Sequence, residues 1–364
     1  MHSSTSSFRP SDAAPSYQRA IPLLDIGRAW MIAVLFCVVG VGLWEWKWRA
    51  FGVAPTIRNS DGLWAMHRRR ISHGEGDKTV LIGSSRVLFD VQLPVWERIM
   101  GERPIQLALE GTSPIFALED LADDPKFTGR LLVGVSPPLF FSGFDLRVNA
   151  VRNWSRETLS QRFGQWLSMT FLEPFFAFYD DDFRLMTVWR RQTWWPPRAG
   201  VFVYTDVRRL ASHDRDRNTR LWDKFHKDPE YTELAKNIWR QIFRPPPGVT
   251  PEIAQKTAEE QLNRAVAAIE KLKARGVQVI FVRPPSDGEF LQAENGGFPR
   301  ERTWNVLLER TGVPGIHFED YPELQGLELP EWSHLSAADA ERFTERLCAI
   351  LQREYGWTPK QKGP

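Results

Sequence analysis

Cysteine is nearly absent from this 364-residue sequence, which has only Cys37 and Cys348. The first lies in the most apolar stretch and the second in a C-terminal helical segment, so no disulfide is expected and thiol usage says nothing about the redox compartment. No His, Cys and Asp residues fall at metal-ligand spacing, no P-loop occurs, and no Gly-x-Gly-x-x-Gly follows a strand. The sequence therefore assigns no metal and no cofactor. No internal repeat is evident. Charge is balanced: 47 Lys and Arg against 45 Asp and Glu leave +2, too little and too dispersed for a nucleic-acid footprint. The composition is that of a globular protein, and the length allows one large or two modest domains.

A long apolar run occurs once. Residues 1–16 are rich in Ser, Ala and Pro and read as a disordered tail, which extends to about residue 27. Ala29 to Trp44 then runs about 16 residues without a charge. That is short of the ~20 a spanning helix needs, but "IPLLDI" before it and "EWKWR" after it extend the apolar reach. No small-x-small cleavage site follows. We expect an uncleaved transmembrane anchor at 28–48 rather than a buried core helix. Arg9, Arg19 and Arg28 precede the run, while Lys47, Arg49, Arg58 and Arg68 to Arg70 follow it, so charge alone leaves the orientation open.

Beyond a connector at 49–77 containing a short helix, the chain takes on an α/β rhythm. Thr79 to Ile82, Ile105 to Leu109, Leu131 to Val135, Val277 to Val282 and Ile316 to Phe318 read as strands. Helices separate them. One is capped by Thr250 with Pro251 at its first position and stops at Gly276; the last is capped by Ser336, with Asp339 placed as in a capping box. Alternation of this kind predicts a parallel five-stranded sheet covered on both faces, a three-layer α/β/α domain built from 78–141 and 248–358. Residues 142–247 break the rhythm and predict a helical insertion rich in tryptophan: Trp154, Trp166, Trp189, Trp194, Trp195, Trp222 and Trp239. These rings either pack the insertion onto the sheet domain, or line a groove for sugar, or lie against a membrane surface.

The first strand ends in Gly83-Ser84-Ser85, at the end of a parallel sheet where ligands bind. A serine hydroxyl is a weak nucleophile until a base takes its proton. Of seven histidines, His334 has the fitting context, in a loop before the last helix with Glu331 three residues earlier to orient it. After the fourth strand, "VRPPSDG" offers Arg283 to steer an anion or pair with a carboxylate, Ser286 to contact substrate, and Asp287 as a loop acid; turn chemistry explains the same residues. Arg86 is expected to pair across its own first helical turn. His213 and His226, among charges in the insertion, are expected on the surface.

"VLIGSSR", the glycine in "LALEGTSP" and the acid-x-x-His of "EWSHLS" together resemble the SGNH (GDSL-type) hydrolase superfamily. The layout is similar to its membrane-anchored, envelope-facing members, the alginate O-acetylation and teichoic-acid D-alanylation proteins. The resemblance spans about Lys78 to Leu347, interrupted by the insertion. It implies Ser85 as nucleophile, with Ser84 in place of the usual aspartate, and Gly111 as an oxyanion donor beside the Ser85 amide. It further implies Glu331 and His334 as the acid and base. The third block departs from the pattern: "VGVSPP" has Ser136 where an oxyanion-binding asparagine is usual, and losing such a donor costs ~10²–10³ in rate. Either Ser136, the only side chain there able to donate, takes its place in the oxyanion hole, or another group enters, or the enzyme is slow or inactive.

What the resemblance implies is acyl transfer through an acyl-Ser85 intermediate, by an esterase or an O-acetyltransferase acting on an envelope or exported polysaccharide. It also implies a single-pass inner-membrane protein with its tail in the cytoplasm and its globular domain in the periplasm, and a membrane-bound O-acyltransferase as partner. Two alternatives stand beside it. One is a catalytically inactive scaffold or glycan-binding subunit of a polysaccharide synthesis complex, and the other is a lipid esterase.

Overall fold

The structure, a computed structural model, describes residues 25–191, 209–243 and 248–359. The expected tail lies almost wholly outside the described residues, as do Trp194 and Trp195. The chain divides into two compact units, residues 1–47 and 48–364. A helix of 25 residues, Ile26–Ala50, is long and apolar enough to cross a membrane, with a mean hydropathy of 2.1 over its most apolar window and none of that window buried.

The second unit carries the sheet. β1 (Val80–Ile82), β2 (Ile105–Gln106) and β3 (Arg130–Gly134) come first. An antiparallel hairpin, β4 (Ala211–His213) and β5 (Thr219–Leu221), stands apart. β6 (Gln278–Arg283) and β7 (Gly315–His317) complete a five-stranded sheet in the order β2-β1-β3-β6-β7, parallel throughout. All five expected strands are present, though β2 is shorter than its apolar run. Alternate residues serve opposite faces. Val80, Ile82, Leu131, Val133, Val279 and Phe281 join one core with the helices Ile115–Asp123, Pro251–Ala274 and Trp304–Thr311. Leu81, Leu132 and Ile280 between them are equally buried and so face the other side. There the helix Ala337–Tyr355 packs against Ser85–Asp90 and Leu93–Met100.

The caps follow the sequence in part. Thr250 Oγ1 accepts from the Ile253 amide at 3.3 Å and Ser336 Oγ from the Asp339 amide at 3.2 Å. Asp339 does not close a capping box; its carboxylate accepts from the Glu328 amide at 2.7 Å and pairs with Arg342. The connector is more than a linker. Its helix Asp61–Arg70 buries Leu63 and Trp64, and Arg68 is buried against Asp120 and Asp124. The insertion is not purely helical, since it contains the β4–β5 hairpin. Arg217 of that hairpin is buried and donates to the carbonyls of Gln106 (2.6 Å) and Ala108 (2.7 Å), which fastens the insertion to the end of β2.

Two glycines set how the Ser85–Asp90 helix meets the sheet. A Cβ on Gly83 would lie 2.6 Å from Val87 Cγ2, and one on Gly134 only 2.0 Å from the same methyl, each also falling 3.3–3.4 Å from the other glycine's Cα. Val87 therefore sits in the space left by two missing side chains, and the helix starts tight against the ends of β1 and β3. Gly134→Ala is expected to lower stability by about 1–3 kcal/mol through overpacking, and Val87→Ala in the same chain to restore part of it. Thermal unfolding of the detergent-solubilised chain, followed by circular dichroism, measures both; an unchanged melting temperature in the single variant would refute the close-packing account.

Candidate functional site

Connections from β1 run first outward to β2 and then back across to β3, so the strand order reverses between β1 and β3. At such a switch point the carboxyl ends of the strands part and leave a crevice. Gly83-Ser84-Ser85 leaves β1 there and Val135-Ser136 leaves β3. The Ser84 and Ser136 hydroxyls, both buried, bridge the two strand ends at 2.7 Å. Ser85 is the first residue of its helix and half-buried, and its hydroxyl makes no hydrogen bond among the described residues.

Phe89 lies four residues on, hence on the same helix face, and its ring stacks on the His334 imidazole with centroids 4.3 Å apart. The loop bearing His334 runs alongside this helix. Arg86 Nε donates to Ser333 Oγ at 3.5 Å and the Leu335 amide donates to Asp90 Oδ1 at 3.0 Å. The fold thus brings His334 to the helix face that begins with Ser85.

His334 and Glu331 form a tight pair. Glu331 Oε1 accepts from the His334 ring at Nδ1 (2.8 Å) and from the His334 backbone amide (2.6 Å). Trp332 between them adopts a left-handed backbone, φ 73°, and such strain in a non-glycine residue persists only where its surroundings hold it. The other carboxylate oxygen accepts the indole N–H of Trp239 from the insertion. Glu331 is wholly buried and His334 is 1% exposed. A carboxylate only accepts, so Nδ1 must carry the proton, which leaves the Nε2 lone pair as the imidazole's basic site. Nε2 is buried with no partner among the described residues.

Gly111 follows β2 with φ 53°, and a Cβ there would meet Leu146 Cδ2 at 2.9 Å. Its carbonyl accepts from Leu146 at 3.2 Å, and neither its amide nor that of Ser85 is paired within the described residues. A cavity of about 310 Å³ is walled by Phe89, Glu110, Arg58, Asp180, Arg209 and His213 among others; Phe89, which stacks on His334, is one of its walls, whereas Ser85, Glu331 and His334 are not. His213 is a wall residue and not a surface histidine as the sequence suggests. Its Nδ1 meets Thr219 Oγ1 at 2.9 Å, and burial lowers its pKa to about 4, leaving it neutral.

Arg283 and Ser286, expected at the pocket rim, are committed elsewhere. Both are buried and converge on Glu294, Arg283 Nη2 at 2.7 Å and Ser286 Oγ at 2.7 Å. Arg86 completes the cluster by pairing with Glu294 at 2.9 Å rather than across its own helical turn. Burial opposes the charge on Glu294, but Arg283 and Arg86 outweigh it and hold the carboxyl below its ordinary range. Of the two roles the sequence offers Arg283, pairing with a carboxylate is the one its geometry shows. Asp287 caps its helix by accepting from the Gly288 amide at 2.7 Å.

Three partners of the site escape sequence reasoning: Trp239, Glu294 and Asp90. Trp239 lies 92 residues from Glu331, and no local spacing could pair them. Compared with known proteins, the chain matches no family model and has no significant sequence relative among curated proteins.

Asp90 is the anomaly beneath the His334 loop. Burial pushes its carboxyl well above the usual range, and Oδ2 has no partner among the described residues. A carboxyl whose pKa is raised by folding stabilises fully below its unfolded pKa of ~3.9 and loses that contribution as pH rises toward the folded value. Asp90→Asn keeps the acceptor for Leu335 and cannot ionise. It is expected to raise the melting temperature at pH 7–8 with the gain shrinking toward pH 4; a gain independent of pH would exclude ionisation as the cause.

Proposed function

We propose that the chain is a membrane-anchored, SGNH-like serine acyl-ester hydrolase or O-acetyltransferase that works through an acyl-Ser85 intermediate. The observation that carries this reading is the His334 imidazole, with Nδ1 held by Glu331 and a buried, unpartnered Nε2, set against the helix that Ser85 begins. Nε2 takes the Ser85 proton as Oγ bonds to the acyl carbon, and returns it to the departing alcohol when that carbon–oxygen bond breaks. Water or a sugar hydroxyl then attacks the acyl-enzyme with the same base removing its proton, which frees Ser85. The unpaired amides of Ser85 and Gly111, with the Ser136 hydroxyl, are the donors for the oxyanion.

The charged cavity beside Phe89 and Glu110 suits a hydroxylated acceptor better than an acyl chain, which favours a polysaccharide over a lipid ester. In this reading Ile26–Ala50 spans the inner membrane, the globular unit is periplasmic, and a membrane-bound O-acyltransferase supplies the acyl group. A second reading, an inactive glycan-binding or scaffold subunit, draws on the near-complete burial of His334 and on Ser136 in place of asparagine.

The test uses the full chain in detergent with p-nitrophenyl acetate and a fluorophosphonate probe. Wild type should label at Ser85. Ser85→Ala should lose labelling and His334→Ala should lose turnover by 10²-fold or more. A folded wild type that neither labels nor turns over would select the inactive reading.

A further inference from the structure

The helix Leu159–Phe171 turns its apolar residues outward. Leu159, Phe163, Trp166 and Leu167 share one face, and all are exposed, Phe163 at 59% and Trp166 at 50%; Met169 is the helix's buried residue. Phe163 and Trp166 stack at 5.6 Å and Trp166 meets Phe171 edge-on at 5.9 Å, so the rings form one patch. Arg162 is the helix's charged residue, and Arg156 lies exposed just before it. The chain runs on to an exposed Phe175, whose carbonyl accepts from Arg49 Nη2 at 2.9 Å. Arg49 and the buried Trp48, in the last turn of Ile26–Ala50, belong to the same unit as this patch.

We propose that the face from Leu159 to Phe175 lies in the interfacial layer of a phospholipid bilayer, the one that Ile26–Ala50 spans, as an in-plane amphipathic segment. The inference rests on the reading of that helix as a membrane span. Arg49 lies in the last turn of that helix, which places it at the headgroups, and it is one hydrogen bond from Phe175. Aromatic rings with flanking arginines are the residues that settle at this depth. A large exposed apolar patch requires a cover, and the chain itself brings lipid to this one. The dyad is then carried on a domain seated against the membrane, not tethered at a distance from it.

Full-length chain carrying Cys37→Ser is reconstituted in phosphatidylcholine–phosphatidylglycerol vesicles and spin-labelled one site at a time, at Phe163→Cys, Trp166→Cys, Leu35→Cys or Lys256→Cys. Cys348 is buried, with its thiol pushed up to about 12, and does not label. Labels at 163 and 166 should collide with oxygen several-fold more than with an aqueous nickel complex, as at 35, with the order reversed at 256. Aqueous behaviour at 163 and 166 with lipid behaviour at 35 overturns the inference and leaves the span intact. Aqueous behaviour at 35 overturns both. Shielding from both reagents at 163, with dipolar broadening that fades on dilution with unlabelled chain, makes the cover a second copy and likewise overturns it.

Discussion

A carboxylate taken wholly out of water has to be met by donors, and the arrangement around Glu331 follows from that need. Its three donors come from the His334 backbone, the His334 ring and the Trp239 indole. The first two hold the loop in its left-handed turn at Trp332, and the third ties the insertion to the sheet domain. Loss of the carboxylate would strand three buried donors at once, at a cost of about 1–3 kcal/mol each. The turn of the His334 loop, the orientation of its ring and the docking of the helix Pro229–Ile242 are therefore one interaction seen from three sides.

A second constraint acts at the sheet. Gly83 and Gly134 leave room for Val87, which lets the helix beginning at Ser85 start close to the strand ends. That closeness also brings the hydroxyls of Ser84 and Ser136 within 2.7 Å. One residue before Val87, Arg86 shares Glu294 with Arg283. A six-residue helix could not hold its place by its own hydrogen bonds; it is held in its first turn by the Val87 methyl between two glycines and by the buried ion pair of the neighbouring Arg86.

The five strands were legible because short β-branched or Leu-rich runs with Gly or Pro nearby leave few other choices, and their alternation with helices implied the parallel sheet. Ser85, Glu331 and His334 were legible as residues, since strand-Gly-Ser-Ser and Glu-x-x-His are local patterns. Their surroundings were not. Arg283 read as a pocket residue because its partner, Glu294, sits in a helix with no distinctive spacing. His213 read as a surface residue because its neighbours in sequence are charged, whereas in space its hairpin packs against the Thr56 segment. The β4–β5 hairpin itself was missed because "ASHDRDRNTRL" has the charge of a loop. What the sequence could not carry in each case was a contact between residues distant along the chain.

In the proposed SGNH-like reading two positions depart from the pattern, Ser84 for aspartate and Ser136 for asparagine, and they touch one another in the fold. An ionised aspartate at position 84 would be an acceptor only and would draw the Ser136 hydrogen to itself, leaving Ser136 nothing to donate. Serine at 84 can instead be the donor in the Ser84–Ser136 bond, so that Ser136 accepts with its lone pair and keeps its own hydrogen to give. Its location at the switch point between β1 and β3 places that hydrogen at the crevice where Ser85 begins its helix. Considered singly, each substitution removes a group the chemistry is accustomed to. Considered as a pair under the proposed reading, the second would be of no use without the first: with Ser84 as the donor in their shared bond, Ser136 keeps one hydrogen to offer the site.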